Sequence, residues 1–280
     1  MWPAREASLR TRYVKLPDGC SLRVVEGGSP TGPAVLLVHG WGACAYTFDA
    51  MMPALAQAGY RALAVELPGF GLSDKPGSPD VYTTRAMALA VLDAATQLGV
   101  DRFTFVGHSM GGAIGLRLAT QGEPRLEKLV LLSAVGLGGV PFMAPLRHIT
   151  PAFIDPLVVA LVRRVTVRLI LAMAYTTRSR PTTRDVDEYW APTQFPEMLR
   201  ACRLLVHHFD FAPLSDVALR TIRVPVLAIG SRRDVMVLGH ADRAALIPGA
   251  THVTVKDGGH LAVQECSDTV NARVVEFLRK

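Results

Sequence analysis

The chain has 280 residues, half of them apolar and 19% charged, with a formal net charge of +6 and four cysteines. That length and apolar content suit one large domain or a domain with an insertion, and exclude a disordered, fibrous or disulfide-stapled mini-protein. Cys20, Cys44, Cys202 and Cys266 are scattered without CxxC or zinc spacing, so reduced thiols, a cytoplasmic protein and no metal site are expected.

The first residues, MWPAREASLRTRYVKL, hold no apolar stretch of signal-peptide length. RYVKL and SLRVVEGG alternate around PDGC and read as an antiparallel hairpin. AVLLVHG at 34–40 is a continuous apolar run closed by glycine, the pattern of a strand buried on both faces. TFDAMMPALAQAGY has helical spacing, and RALAVELPGFG gives a second buried strand ending in a Pro/Gly turn. TTRAMALAVLDAATQLGV is an amphipathic helix stopped near Gly99. RFTFVGHS, the helix MGGAIGLRLATQG and the run LEKLVLLSA continue the alternation. Strands alternating with helices imply a doubly wound, mostly parallel sheet with helices on both faces.

The rhythm stops between 136 and 216, where the chain reads as helical or irregular and rich in Pro and Arg. It resumes with RVPVLAIGSRRD, a helix near GHADRAALIPGA, the strand HVTVKDGGH and the closing helix DTVNARVVEFLRK. The expected organisation is a core of residues 1–135 and 217–280 with a helical insertion at 136–216. The longest apolar tract, Pro156–Tyr175, carries Arg163, Arg164 and Arg168 near its middle, which excludes a membrane span of roughly 20 residues. From Val140 to Arg184 seven arginines stand against Asp155 alone, so the excess charge is concentrated there. A solvated basic face is the plain reading, and an acidic carrier protein or an anionic surface is the functional one. No aromatic-interleaved basic patch points to nucleic acid, and no glycine loop of phosphate-binding type points to a cofactor.

Gly107-His108-Ser109-Met110-Gly111 lies between a buried strand and a helix. This is G-x-S-x-G, a sharp turn that lifts a serine hydroxyl clear of the sheet edge. If that serine reacts, a base and an orienting acid must lie beyond other strand ends. Asp234 follows VLAIG and His260 follows VTVKDGG, in the chain order expected of such a triad. Asp257 is the rival acid, but it sits three residues before His260 on the same loop. Backbone N–H groups of Met110 and of Trp41, in HGWGA, are the expected anion donors.

Together VHGWG, LPGFGLSDKP, GHSMGG, Asp234 and GGH resemble the α/β-hydrolase family, in its cofactor-free branch with a helical cap. The resemblance implies an eight-stranded sheet and an active site between cap and core. It also implies Ser109 as nucleophile, Asp234 as acid, His260 as base, and Trp41 and Met110 as oxyanion donors. Glu66 departs from the aspartate usual before LPGFG. Dehalogenases and epoxide hydrolases of this fold use aspartate at the elbow, so serine argues against both. The expected activity is hydrolysis of small, mainly apolar carboxylic esters of short to medium acyl length. An esterase for acyl groups on a carrier protein, a carbon–carbon bond hydrolase, and a non-catalytic small-molecule receptor remain alternatives. Phe142, Met143, Leu146, Phe153, Leu157, Met173 and Tyr175 are the candidate lining of an apolar pocket.

Overall fold

The computed structural model describes residues 1–3, 8–176 and 181–280, apart from the side chain of residue 241. β1 (Leu9–Lys15) and β2 (Ser21–Gly28) form the expected hairpin, with Lys15 opposite Ser21. The four apolar runs become β3 (Ala34–Val38), β4 (Arg61–Val65), β5 (Phe103–His108) and β6 (Leu126–Leu132). With β7 (Val226–Ser231) and β8 (Thr251–Val255) they complete an eight-stranded sheet in the order β1-β2-β4-β3-β5-β6-β7-β8. β2 is antiparallel to β1 and β4, and every later pairing is parallel.

Alternation along each strand decides what the helices cover. In β3, Leu36 and Val38 pack on the face that also buries Met87 and Val91 of α2 (Thr84–Gln97) and Ile114 of α3 (Met110–Thr120). Val35 and Leu37 pack on the other face, with Met51, Met52 and Leu55 of α1 (Met51–Gln57). Burying each such side chain is worth about 1.5–3 kcal/mol, so the sheet needs both layers. α2 starts where the Thr83 hydroxyl accepts the Ala86 N–H, and ends before Gly99 at φ 67°.

Between β6 and β7 the described chain adds no strand to the sheet. It forms α4 (Met143–Ile149), α5 (Asp155–Leu161), α6 (Arg164–Ala174), α7 (Thr183–Trp190), α8 (Pro196–His208) and α9 (Asp216–Arg220). The helix expected across 239–250 is only α10 (His240–Ala244), cut short before Pro248 and Gly249, the latter at φ 69°. The chain closes with α11 (Ala262–Glu265) and α12 (Ser267–Arg279). Among the described residues no helix is long and apolar enough to cross a membrane. The chain leaves β3 for β4 on one side and then returns to β5 on the other. The crevice outside the carboxyl ends of β3 and β5 is therefore the topological switch point, where ligands bind in open α/β sheets.

Candidate active site

Ser109 stands in that crevice, between the last residue of β5 and the first of α3. Its backbone sits at φ 52°, ψ −116°, a region that costs a non-glycine residue about 1–3 kcal/mol. Three backbone bonds hold it there: its N–H donates to Leu132 O at 2.9 Å, and its carbonyl accepts from Gly112 and Val135 at 2.9 and 3.0 Å. The glycines around it are demanded by close approach. A Cβ at Gly111 would lie 2.1 Å from Val38 O, and one at Gly107 2.4 Å from Gly111 O. Across the crevice, a Cβ at Gly40 would come within 3.0 Å of Ser109 Cβ and 3.5 Å of its Oγ. The turn after β3 thus presses its backbone against the serine. Met110, as the first residue of α3, keeps an N–H that the helix cannot satisfy. Trp41 follows Gly40, and its indole is turned away to donate to Cys202 O at 3.0 Å.

Asp234 and His260, 26 residues apart, meet at 2.9 and 3.1 Å between Nδ1 and the two carboxylate oxygens. Asp234 Oδ1 also accepts the N–H groups of Met236 and Val237, at 2.9 and 3.0 Å. Burial opposes ionisation of this carboxyl. The His260 hydrogen bond and charge, joined by the two backbone donors, outweigh it and hold the pKa down at about 2. An ionised carboxylate only accepts, so the Nδ1 of His260 must carry the proton and the Nε2 of the neutral ring is left as a base. No hydrogen bond joins Ser109 Oγ to His260, although both residues are buried. Asp257, the rival acid, contributes instead its carbonyl to the Thr176 hydroxyl at 2.8 Å.

Two further histidines support the site as neutral spacers. His39 Nδ1 donates to Gly40 O at 2.8 Å and its Nε2 accepts Leu67 N–H at 3.1 Å. Burial lowers its pKa to about 4. His108 Nε2 donates to the carbonyl of His260 at 3.0 Å, tying the histidine loop to the serine turn. Burial, then the neighbouring His260 ring, lowers the His108 pKa to about 3. Glu66 is a second brace. One oxygen accepts Arg23 Nη1 at 2.8 Å and Ala45 N–H at 3.2 Å, and the other accepts Leu72 N–H at 2.7 Å. It fastens the loop after β4 to the loop after β3, a role its mere departure from aspartate did not disclose.

A buried polar joint, invisible in the sequence, links the helices of 136–216 to the His260 loop. Gln264, four residues after His260, accepts the Tyr175 and Tyr189 hydroxyls at 2.8 and 2.9 Å. Its amide donates to Tyr46 O at 3.2 Å and Asp49 Oδ1 at 3.4 Å. Tyr46 in turn donates its hydroxyl to Asp185 at 2.8 Å. Glu265 receives Gly259 N–H at 2.6 Å and Thr176 N–H at 2.7 Å. A Cβ at Gly259 would lie 2.4 Å from Ala174 O, so α6 ends against the backbone beside the imidazole.

The seven candidate lining residues do not share one surface. Met143 is buried in the core layer that holds α2 and α3, with Leu146 half-buried against it. Tyr175 is buried in the opposite layer, its hydroxyl spent on Gln264. Phe153, Leu157 and Met173 are turned to solvent, and Phe142 is 37% exposed. Helical spacing identified apolar positions here but not which side faces inward. Of the counted arginines, Arg178 and Arg180 lie outside the described residues. Arg147 caps the end of α8 through Val206 O and Phe209 O, and Arg164 pairs with Asp187. Among the described residues no His/Cys/Asp/Glu group forms a metal cluster. No disulfide joins any of the four cysteines, all of which lie among the described residues.

A family model for the alpha/beta hydrolase fold matches residues 33–165. The chain is 30% identical to the magnesium-chelatase 30 kDa subunit of Rhodobacter capsulatus, over 99% of this chain and 96% of that protein. It is 27% identical to epoxide hydrolase A of Mycobacterium tuberculosis, over 93% and 95% of the two chains. The solved enol-lactonase from Burkholderia xenovorans LB400 superposes with a TM-score of 0.79 at 22% identity, over 96% of this chain and 100% of that one. With the family model matched and a relative 30% identical over nearly its whole length, the chain belongs to the α/β-hydrolase family.

Proposed function

We propose that this protein is a serine hydrolase of small, mainly apolar carboxylic esters, working through an acyl-enzyme. Residues 1–135 and 217–280 form its core, and 136–216 its cap. One observation carries the reading. An ionised, doubly backbone-bonded Asp234 fixes the tautomer of His260, and the same loop is tied through His108 to the strained turn that presents Ser109.

In the first half-reaction Ser109 Oγ attacks the ester carbonyl while its proton passes to His260 Nε2. Closing the distance between hydroxyl and imidazole accompanies substrate binding, since such bonds are often long in free enzymes. The tetrahedral oxyanion is met by the N–H groups of Met110 and Trp41 and by the positive end of α3. Collapse breaks the carbon–oxygen bond of the leaving alcohol, and His260 returns the proton to that oxygen. Water then repeats the attack on the acyl carbon, giving a proton to His260. The acyl–Oγ bond breaks and the proton goes back to Ser109. Asp234 stays ionised throughout and stabilises the imidazolium. A hydroxyl rather than a carboxylate at the turn favours this acyl chemistry over trapping of an epoxide carbon, despite the relative named for the latter. Cysteines without disulfides suit a reducing, cytoplasmic setting.

A chain-length series of nitrophenyl esters, read beside a fluorophosphonate probe, tests the proposal. Burst kinetics and labelling of Ser109 are expected, with turnover falling on the order of 10⁴-fold or more in Ser109→Ala. No turnover across the series and an unlabelled Ser109 in folded protein would leave the non-catalytic receptor, for which the unbonded hydroxyl is the favouring observation.

A further inference from the structure

The apolar residues of the segment between β6 and β7 lie where a soluble protein ordinarily places polar ones. Ten of the sixteen large apolar side chains exposed among the described residues fall within 142–173. Six of them recur every fourth residue: Phe153, Leu157, Leu161, Val165, Leu169 and Met173, each more than half exposed. On α6 the buried residues are Val167, Leu171 and Ala174. At 3.6 residues per turn, Val165, Leu169 and Met173 fall on the opposite side of that helix. α6 is thus apolar on two sides, a pattern that belongs to buried helices, yet one side is open. α5 has no buried residue, and Leu157 and Leu161 are exposed on it.

The charges beside this apolar surface have one sign. Arg163, Arg164 and Arg168 are all exposed. Arg164 is paired with Asp187 at 2.5 Å, whereas Arg163 and Arg168 have no acidic partner among the described residues. The nearby Asp155 is taken by Arg203 at 2.6 Å. Arg164 and Arg168 sit one turn apart on the flank of α6, between its inner and outer sides. Apolar side chains pointing outward with guanidinium groups along the flank match the boundary of an anionic bilayer. Acyl chains receive the first there and lipid phosphates the second. A soluble acidic protein would need the arginines but not six outward apolar residues, and a second copy of this chain would set arginine against arginine.

We infer that the outer side of α5 and α6 docks the protein on an anionic lipid surface, with Val165 and Leu169 entering the headgroup boundary and Arg163 and Arg168 meeting phosphate. Flotation of the full chain with vesicles tests this without reference to catalysis, so its failure leaves the hydrolase reading untouched. The chain should float with vesicles of phosphatidylcholine mixed with phosphatidylglycerol, only weakly with phosphatidylcholine alone, and less as salt rises. Val165→Gln with Leu169→Gln should lower the vesicle partition coefficient by about tenfold or more. Arg163→Gln and Arg168→Gln should each lower it by roughly fivefold. All four positions are exposed, and an unchanged thermal midpoint checks that the variants fold. Absence of flotation with the anionic vesicles overturns the inference, as does equal flotation of the Gln variants. A dimer in sedimentation that the Val165/Leu169 pair dissolves, with no lipid binding, assigns the surface to a second copy and overturns it too.

Discussion

The helices between β6 and β7 have two sides of opposite character. The inner side meets the sheet through matched polar groups: Tyr175 and Tyr189 on Gln264, Asp185 on Tyr46, Thr176 on Glu265. The outer side of α5 and α6 is apolar and open. Apolar burial would hold these helices against the core in many arrangements, because it has no direction. Hydrogen bonds between buried groups leave few, since each missed partner costs about 1–3 kcal/mol. Tyr189 gives its proton to Gln264 and can accept one from Thr47 at 3.1 Å, while Gln264 spends both amide protons on Tyr46 O and Asp49. Position relative to His260 is thus set on the inner side, and the outer side is free to serve a partner.

Asp185→Ala should break this arrangement most severely. The carboxylate is buried and accepts Tyr46 Oη, Thr182 N–H and Thr182 Oγ1, each at 2.8 Å. Its removal strands three donors and dissolves the box that opens α7, a loss of about 3–5 kcal/mol in urea unfolding. Asp185→Asn keeps a carbonyl acceptor and should lose less than half as much.

Acid should loosen the core before it touches the outer side of these helices. His39, His108 and His240 have pKa values lowered from 6.5 to about 4, 3 and 4, with burial the leading cause of each. Below pH 6.5 the unfolded chain takes up protons that the folded one refuses. Stability therefore falls as pH drops from 6.5 toward 4, by up to about 1.4 kcal/mol per pH unit for each histidine. Asp234 acts in a lower window. Its folded pKa of about 2 lies below 3.8, so its contribution of about 2 kcal/mol is complete above pH 4 and is lost as pH falls through 2. Thermal midpoints from pH 7 to 4 should show the histidine slope. His240→Leu should flatten it, because both ring nitrogens of His240 are buried without a hydrogen bond. A flat profile in the unaltered protein would contradict the assignment of neutral buried rings.

Glu265→Gln probes the joint more gently. One of its two oxygens becomes an amide nitrogen, so either Gly259 or Thr176 loses its acceptor. Glu265 acts through the backbone beside His260, as a positioning residue. Ester turnover should fall about tenfold in kcat with little change in KM. A change confined to KM would place the effect on substrate binding instead.

The sheet was legible because its physics is local. Buried parallel strands must be continuous apolar runs, and the turn at Ser109 must carry glycines where backbones touch, so AVLLV and GHSMGG announce themselves. Asp234 and His260 were legible for a topological reason, since both follow the carboxyl ends of strands. Gln264, Asp185 and Glu265 were not, because a polar residue on an amphipathic helix looks the same whether it meets water or a buried tyrosine. The pocket candidates failed to converge for a related reason. Spacing of four puts Phe153, Leu157 and Met173 on one side of their helices, but periodicity cannot tell an inner apolar side from an outer one when a helix such as α6 has both.

That ambiguity gives the smallest effect and the sharpest contrast. Leu169 and Leu171 are two residues apart on α6, the same residue type in the same helix, on opposite sides of it. Leu171 is 5% exposed, Leu169 62%. Leu171→Ala removes methyl groups from the core layer that also holds Tyr175 and Tyr189, and should lower unfolding free energy by about 2–4 kcal/mol. Leu169→Ala removes the same atoms from water, where alanine is also the better helix former, and should change it by less than about 0.5 kcal/mol. Equal losses in the two variants would mean that the outer side of α6 is covered in the isolated protein. The two-sided picture of these helices would then fail.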